Sequence, residues 1–283
     1  MSSTSGPAAF NSGARSLNDR LERIRAIRRR IVGLSYEAKS AHLGSSLSCV
    51  EILDAIMERA GMHPGNAAAP DRSRIVFSKG HAAMAFYSTL EAWNLLPTDF
   101  LDRYLHNGTG LWGHVSRAAD VPAIDVSTGS LGHGLGLAVG YALGYRLRQW
   151  QAATFCVLSD GECDEGSTWE AAMFAGHHRL DKLFTIVDYN KIQSLDRVSV
   201  ILELEPFADK WRSFGWSVAE VDGHDVAQID AALEGDRDAR PLVILAHTVK
   251  GKGIPRIEDT VASHYHPAKA EDLQAFDNAQ SYR

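Results

Sequence analysis

The chain has 283 residues, 45% of them hydrophobic and 23% charged, with a formal net charge of −6. This is the composition of an ordinary soluble globular protein, and the length suits one large α/β domain. The acidic balance argues against a nucleic-acid surface.

Residues 1–15 lack the apolar core of a signal peptide and read as a disordered arm, leaving 16–283 as one domain. A first helix is predicted over 17–39. Leu17, Leu21, Ile24, Ile27 and Ile31 mark its apolar face and Arg28-Arg29-Arg30 its solvated face. Ser48-x-x-Glu51 reads as a capping box opening a second helix. Residues 61–74 form a loop. Ile75-Val76-Phe77 is a short strand, followed by Ser78-Lys79-Gly80-His81 and a helix to about Trp93. Residues 106–128 are mostly loop. From Leu131 to Tyr145, Gly132, Gly136, Gly140 and Gly144 recur every fourth residue, which predicts a helix packed close to another backbone, with Arg146 and Arg148 at its C-terminal end. The stretch is too short and glycine-rich for a membrane span. Cys49, Cys156 and Cys163 form no CxxC pair, and so sparse and odd a count fits a reducing cytoplasm.

A readable βαβ unit follows. Thr154–Leu158 and Leu183–Val187 are apolar strand runs, and 166–178 between them has helical composition. A right-handed crossover makes the strands parallel. Asp160 and Asn190 then lie just past their carboxyl ends, the edge where open α/β sheets bind ligands. A carboxylate and an amide oxygen are hard ligands suited to Mg²⁺ or Ca²⁺, and an ion with so few protein ligands shares its shell with phosphate oxygens. A metal-anchored diphosphate cofactor is the expectation. Taken alone, the spacing favours a plain turn at Asp160-Gly161; the other motifs reverse that preference. Trp216–Val221 and Leu242–Ala246 are two further strands around a helix at 226–233, which implies a mainly parallel sheet with helices on both faces.

The ordered motifs are Ser40-Ala-His42-Leu-Gly44-Ser45, Ser78-Lys-Gly-His81, Gly113-His114, Ser127-Thr-Gly129-Ser130-Leu131-Gly-His-Gly134 and Ser159-Asp-Gly-Glu-Cys-Asp-Glu165. They continue with Asp188-Tyr-Asn190-Lys, Lys250-Gly-Lys-Gly253 and Ser263-His264. Together, over about residues 31–267, they resemble the N-terminal, diphosphate-binding half of transketolase, a thiamine diphosphate (ThDP) enzyme. The resemblance implies Asp160, Asn190 and the Ile192 carbonyl as metal ligands, for Mg²⁺ or alternatively Ca²⁺. It implies Gly161, His81, Ser45 and Lys250 as cofactor contacts, with Gly129, Ser130 and Leu131 at the aminopyrimidine. Glu165 matches a buried glutamate linking two active sites across a dimer. His42, His114 and His264 match histidines of the substrate channel, and His264 also faces the cofactor. The sequence departs from the family's pattern at Ser159, at His133, at Val115-Ser116 and at Ser194-Leu195-Asp196.

The chain stops where the diphosphate-binding half of the family ends. The resemblance therefore implies the α subunit of a split transketolase, moving a two-carbon ketol unit from a ketose to an aldose together with a separate subunit carrying the pyrimidine-binding and C-terminal domains, as an α₂β₂ assembly. The alternatives are a ThDP-dependent two-carbon transferase of a specialised biosynthetic pathway, with a non-standard donor or acceptor, and a non-catalytic cofactor-binding regulatory subunit.

Overall fold

The computed structural model describes residues 16–97 and 99–278. The expected arm 1–15, and residues 279–283 of the expected domain, lie outside them.

Five strands form one sheet: β1 (Arg74–Phe77), β2 (Thr154–Ser159), β3 (Leu183–Tyr189), β4 (Ser217–Asp222) and β5 (Leu242–His247). Their spatial order is β1-β2-β3-β5-β4 and every pairing is parallel. Ten helices surround them: α1 (Leu17–Ala38), α2 (Leu43–Leu47), α3 (Val50–Ala60), α4 (Ala83–Ala92), α5 (Gly134–Leu147), α6 (Gly166–His177), α7 (Val198–Ile201), α8 (Phe207–Ser213), α9 (Val226–Glu234) and α10 (Ala270–Asn278), counted among the described residues. The expected strands are all present, to within a residue or two.

The continuous apolar runs of the strands have a physical reason: both faces of the sheet are covered. Alternate side chains point to opposite faces. Phe155, Val157, Phe184, Ile186 and Ile244 enter one core with Ile27, Leu53 and Phe86 of α1, α3 and α4. Cys156, Leu158, Val187, Val243 and Leu245 enter the other with Ala138, Ala172 and Trp211 of α5, α6 and α8.

Three expectations fail, each for a long-range reason. The Ser48–Glu51 box does not form. Cys49 is the N-cap of α3, the Ser48 hydroxyl donates to Asp188, and Glu51 accepts from Arg28 at 2.6 Å. A capping box does form at Ser16, whose hydroxyl accepts the Asp19 N–H at 3.1 Å while Asp19 accepts the Ser16 N–H at 3.2 Å. The arginine face of α1 is not simply solvated. Arg28 is buried, and Arg30 grips Glu91 in a bidentate pair and reaches Asp102 at 2.7 Å. Conversely Leu17 and Leu21, assigned to the apolar face, are exposed. Finally, Gly136, Gly140 and Gly144 pack against nothing within the described chain: a Cβ added at any of them meets no atom within 4 Å. The close approaches lie just upstream. A Cβ on Gly132 would sit 2.5 Å from Ser167 Oγ, and one on Gly134 2.1 Å from Ser78 Oγ.

Candidate active site

Four chain segments leave the same edge of the sheet. The register pairs Phe77 with Val157, Ser159 with Asp188, and Asp188 with Ala246. The segments after β1 (Ser78–His81), β2 (Asp160–Glu165), β3 (Asn190–Gln193) and β5 (Thr248–Lys250) therefore emerge side by side. This is the carboxyl edge, where parallel sheets bind ligands. A cavity of about 200 Å³ opens there, lined by His42, Ser45, Lys79, His81, Gly129, Leu131, Ser159, Asp160, Gly161, Asn190, Ile192, Gln193, Ser194, Lys250 and His264.

The imidazoles converge from distant parts of the chain. His42 sits in the left-handed region, at φ 66°, immediately before α2. Its N–H donates to the His264 carbonyl at 2.8 Å, which fastens the two segments together. The ring centroids of His42 and His264 are 4.7 Å apart, those of His42 and His81 5.4 Å, and those of His42 and His114 5.8 Å. Burial is the first cause that drives the His42 imidazole down to about 4 and the His264 imidazole to about 3; His114 next for the former, and Lys250 for the latter, push the same way. His81 is lowered too, by burial and then by Lys79. All three are neutral near pH 7. The Nδ1 atom of His42 is buried without a partner among the described residues, a polar atom that a ligand would satisfy.

Lys250 organises the cavity's other wall. Its ammonium donates to the carbonyls of Ile192 at 2.9 Å and Gln193 at 3.0 Å, and lies 3.2 Å from His264 Nδ1. An ammonium has only donors, so His264 Nδ1 accepts and its ring proton belongs on Nε2. Burial lowers the Lys250 amine to about 8.

Asp160 is buried, and accepts the N–H of Lys191 at 2.5 Å and of Gly161 at 2.7 Å. Asn190 Oδ1 accepts the Ile192 N–H at 3.1 Å. Burial first, then the neighbouring Asp188, pushes the Asp160 carboxyl up to about 7. One carboxylate, one amide oxygen and one carbonyl in a single cavity are a set of hard oxygen donors, and a buried carboxyl held up in this way is what a divalent cation would ionise. The donor set fits a Mg²⁺ or Ca²⁺ ion. Gly161 leaves a face that the Gln193 side chain covers, at 2.9 Å from where a Cβ would stand.

Three of the expected residues lie apart from the cavity lining. His114 is exposed, at the rim, against Gly129, where an added Cβ would meet its ring at 2.8 Å. Ser130 is exposed. Glu165 is exposed at the N-cap of α6, not buried as the resemblance implies; nothing among the described residues of the chain covers it.

Three further buried groups, Lys79, Asp188 and Glu162, lie within the same motifs. Lys79, fully buried, donates to the Ser45 carbonyl at 3.0 Å and forms an ion pair with Asp188, also fully buried. Glu162 accepts from the Ser78 hydroxyl, from the Gly132 N–H at 3.0 Å and from the Ser159 N–H at 3.4 Å, so one carboxyl holds three motif loops together. Burial pushes it up to about 7 against those hydrogen bonds. The available signal for Asp188 was a charge ending an otherwise apolar strand run, which implies a buried partner.

Residues 19–282 match the family described as the transketolase thiamine diphosphate-binding domain. The chain belongs to that family. Among its relatives, the 6-deoxy-6-sulfo-D-fructose transketolase subunit SqwG of Clostridium sp. (strain MSTE9) is 43% identical over 226 residues, 79% of this chain and 82% of that protein. An apulose-4-phosphate transketolase subunit from Actinobacillus succinogenes is 36% identical over 260 residues, 90% of this chain and 94% of that protein. The crystal structure of transketolase from Campylobacter jejuni superposes with a TM-score of 0.82 at 27% identity, covering 92% of this chain but 42% of that one. This member of the transketolase family thus matches two named subunits over most of their length and about two-fifths of the solved transketolase chain. No helix among its described residues is long and apolar enough to cross a membrane.

Proposed function

We propose that this chain is the cofactor-binding subunit of a two-chain transketolase that moves a two-carbon ketol unit from a ketose to an aldose. The observation that carries the reading is the convergence, in one cavity at the carboxyl edge, of three neutral imidazoles, Lys250 and a set of hard oxygen donors.

Asp160, Asn190 and the Ile192 carbonyl would hold the cation, Mg²⁺ by preference with Ca²⁺ as the alternative. His81, Ser45, Gly161 and Lys250 would meet the diphosphate. Gly129, Ser130 and Leu131 would meet the aminopyrimidine. When bound, ThDP supplies the carbon nucleophile that accepts and passes on the two-carbon unit. The chain's own side chains act on the sugar oxygens. His264, neutral and carrying its proton on Nε2, can donate a hydrogen bond to the ketose oxygen. His42, with an unpartnered Nδ1, can accept a proton or hydrogen bond from a hydroxyl. His114, at the rim, would meet the donor's C1 hydroxyl. Glu165, exposed in one chain, would be covered by a second and connect the two sites.

The relatives named as subunits support a separate partner carrying the pyrimidine-binding and C-terminal domains, in an α₂β₂ assembly. Their names also support a donor ketose with an anionic end, a sulfonate or a phosphate, which favours a specialised pathway over a general sugar-phosphate role. Three reduced, buried cysteines are consistent with the cytoplasm as the compartment.

The test is to co-purify the chain with its partner, load ThDP and Mg²⁺, and offer xylulose 5-phosphate, fructose 6-phosphate and 6-deoxy-6-sulfofructose with an aldose acceptor. The expected result is a shortened aldose from at least one anionic ketose. A fully loaded complex that releases none from any of the three would overturn the reading.

A further inference from the structure

The cavity floor carries a group of buried polar side chains with no counterpart in the roles assigned above. Asp188 ends β3 and is fully buried. Four side chains donate to its carboxylate. The Ser48 hydroxyl, 2.5 Å away, the Lys79 ammonium and the Asn190 amide NH₂, at 3.2 Å, reach Oδ2; the Thr248 hydroxyl reaches Oδ1. Lys79 is equally buried, and its only other hydrogen-bond acceptor among the described residues is the Ser45 carbonyl.

The chemistry of this cluster bears on Asn190. A side-chain amide has a donor end and an acceptor end of nearly the same shape, so packing alone selects neither orientation. An ionised carboxylate only accepts. The Ser48 hydroxyl and the Lys79 ammonium both donate to Oδ2 and the Thr248 hydroxyl to Oδ1, so Asp188 meets its neighbours as an acceptor on both oxygens. The NH₂ of Asn190 is therefore the end that must face Asp188. Reversing the amide would press two oxygens together at about the same distance. The Oδ1 end is thereby directed the other way, to the Ile192 N–H and the cavity.

We propose that the buried Lys79–Asp188 pair is a positioning device for the cation site, which fixes the Asn190 amide so that its oxygen is presented to the metal. The inference rests on the reading of Asn190 as a metal ligand. Ser48 and Thr248, from α2's end and β5's end, hold the Asp188 carboxylate in the rotamer this requires, so segments 140 and 60 residues away in sequence are tied to one ligand's orientation. Outer partners of this kind are expected to change metal affinity by roughly 10–100-fold.

Asp188→Asn alone would strand the Lys79 charge in the interior and is expected to destabilise the chain for that reason alone. The informative variant is therefore the double one, Lys79→Met with Asp188→Asn, which removes both charges and leaves an amide that no longer dictates which end of Asn190 faces it. A merely structural ion pair would be replaced without loss of metal binding. With ThDP fixed, Mg²⁺ is titrated into the full-length chain and into its complex with the partner, followed by tryptophan fluorescence and calorimetry. Wild type, Asn190→Ala and the double variant are compared, and circular dichroism verifies folding. The proposal expects the folded double variant to bind Mg²⁺ about 10–100-fold more weakly than wild type, with Asn190→Ala weaker still. Wild-type Mg²⁺ affinity in the double variant, with loss in Asn190→Ala, overturns the proposal and leaves the cofactor reading standing. Unchanged Mg²⁺ affinity in Asn190→Ala overturns the ligand assignment itself and the proposal with it.

Discussion

Gly80→Ala isolates how tightly the cofactor loops are fitted to one another. A Cβ at position 80 would stand 2.5 Å from the carbonyl carbon and oxygen of Thr128 and 2.7 Å from the Gly129 nitrogen. All three are backbone atoms, so no rotamer change relieves the contact. Ordinary contact begins near 3.4 Å, which requires the two loops to part by about 0.9 Å (3.4 less 2.5). Gly80 is not in the left-handed region, so the cost is purely steric. Overpacking of this kind costs about 1–3 kcal/mol. The parting also strains the bonds that join the loops: Thr128 Oγ1 to the Phe77 carbonyl at 2.7 Å, the Thr128 N–H to the Val115 carbonyl at 3.0 Å, and the Val115 N–H to the Gly80 carbonyl at 3.2 Å. At about 2 kcal/mol the melting temperature of a chain of this size should fall by roughly 4–8 °C. Because Gly129 and His81 both line the cavity, a displacement near 1 Å should cost about 100-fold in turnover of the assembled enzyme. Differential scanning calorimetry and ThDP titration read the two effects separately. A Gly80→Ala chain with wild-type melting temperature and wild-type ThDP affinity would refute the claim that these loops are in rigid contact.

Gly140→Ala should act in the opposite direction. Its Cβ meets nothing within 4 Å among the described residues, and replacing a mid-helix glycine by alanine is worth about 0.8–1 kcal/mol, so the isolated chain should melt a few degrees higher. A lower melting temperature would mean that the open face of α5 is already occupied in solution. His224 accepts the Val249 N–H on Nε2 at 2.9 Å and faces Glu51 through Nδ1 at 3.2 Å, so it anchors the turn that carries Lys250. His224→Ala leaves both partners short and should cost about 1–3 kcal/mol; hydrogen exchange should accelerate at Val249 and Lys250, and unchanged protection there would contradict the anchor. The last prediction concerns pH. His42 and His264 titrate near 4 and 3 in the folded chain, below the unfolded value near 6.5. Depressed values mean that the unfolded state takes up protons first. Their contribution to stability is then complete above about pH 6.5 and is lost as the pH falls through 4 to about 3. Urea unfolding of His42→Asn/His264→Asn should show a shallower loss of stability than wild type across that window, and parallel pH profiles would rule the imidazoles out as its source.

The strands were legible because burial on both faces leaves a local mark. Phe155 to Leu158 is apolar without interruption and Leu183 to Val187 is broken only by Thr185, and nothing outside the segment is needed to read them. The edge that carries the site follows, since parallel strands in register release their next residues side by side. The failures are different in kind. Ser48 carries a capping signature, but its hydroxyl found a carboxylate 140 residues on. Arg28 and Arg30 lie on the polar side of α1, yet Glu51 and Glu91 come from α3 and α4 to meet them. The glycines of α5 announce a small-residue stripe, but spacing cannot say what faces it, and among the described residues nothing does. Each error concerns a partner supplied from elsewhere in the chain or not supplied by it.

The site divides along the same line. Residues that act through backbone geometry, such as Gly129 at φ 150° or the Asp160-Gly161 turn, impose a local pattern that a motif preserves. Residues that act through a buried charge impose none, because their requirement is a complementary group in space rather than a neighbour in sequence. Lys79 and Asp188 are separated by 109 residues and neither would be tolerated alone in the interior. His42 and His264, 222 residues apart, are held together by one backbone hydrogen bond, and only the fold reveals it. A motif therefore finds the groups that touch a ligand more readily than the groups that aim them. If Lys79 and Asp188 aim Asn190, the polarity of the cavity floor is a condition of metal binding, and an apolar substitution that preserved every residue lining the mouth would still weaken the site.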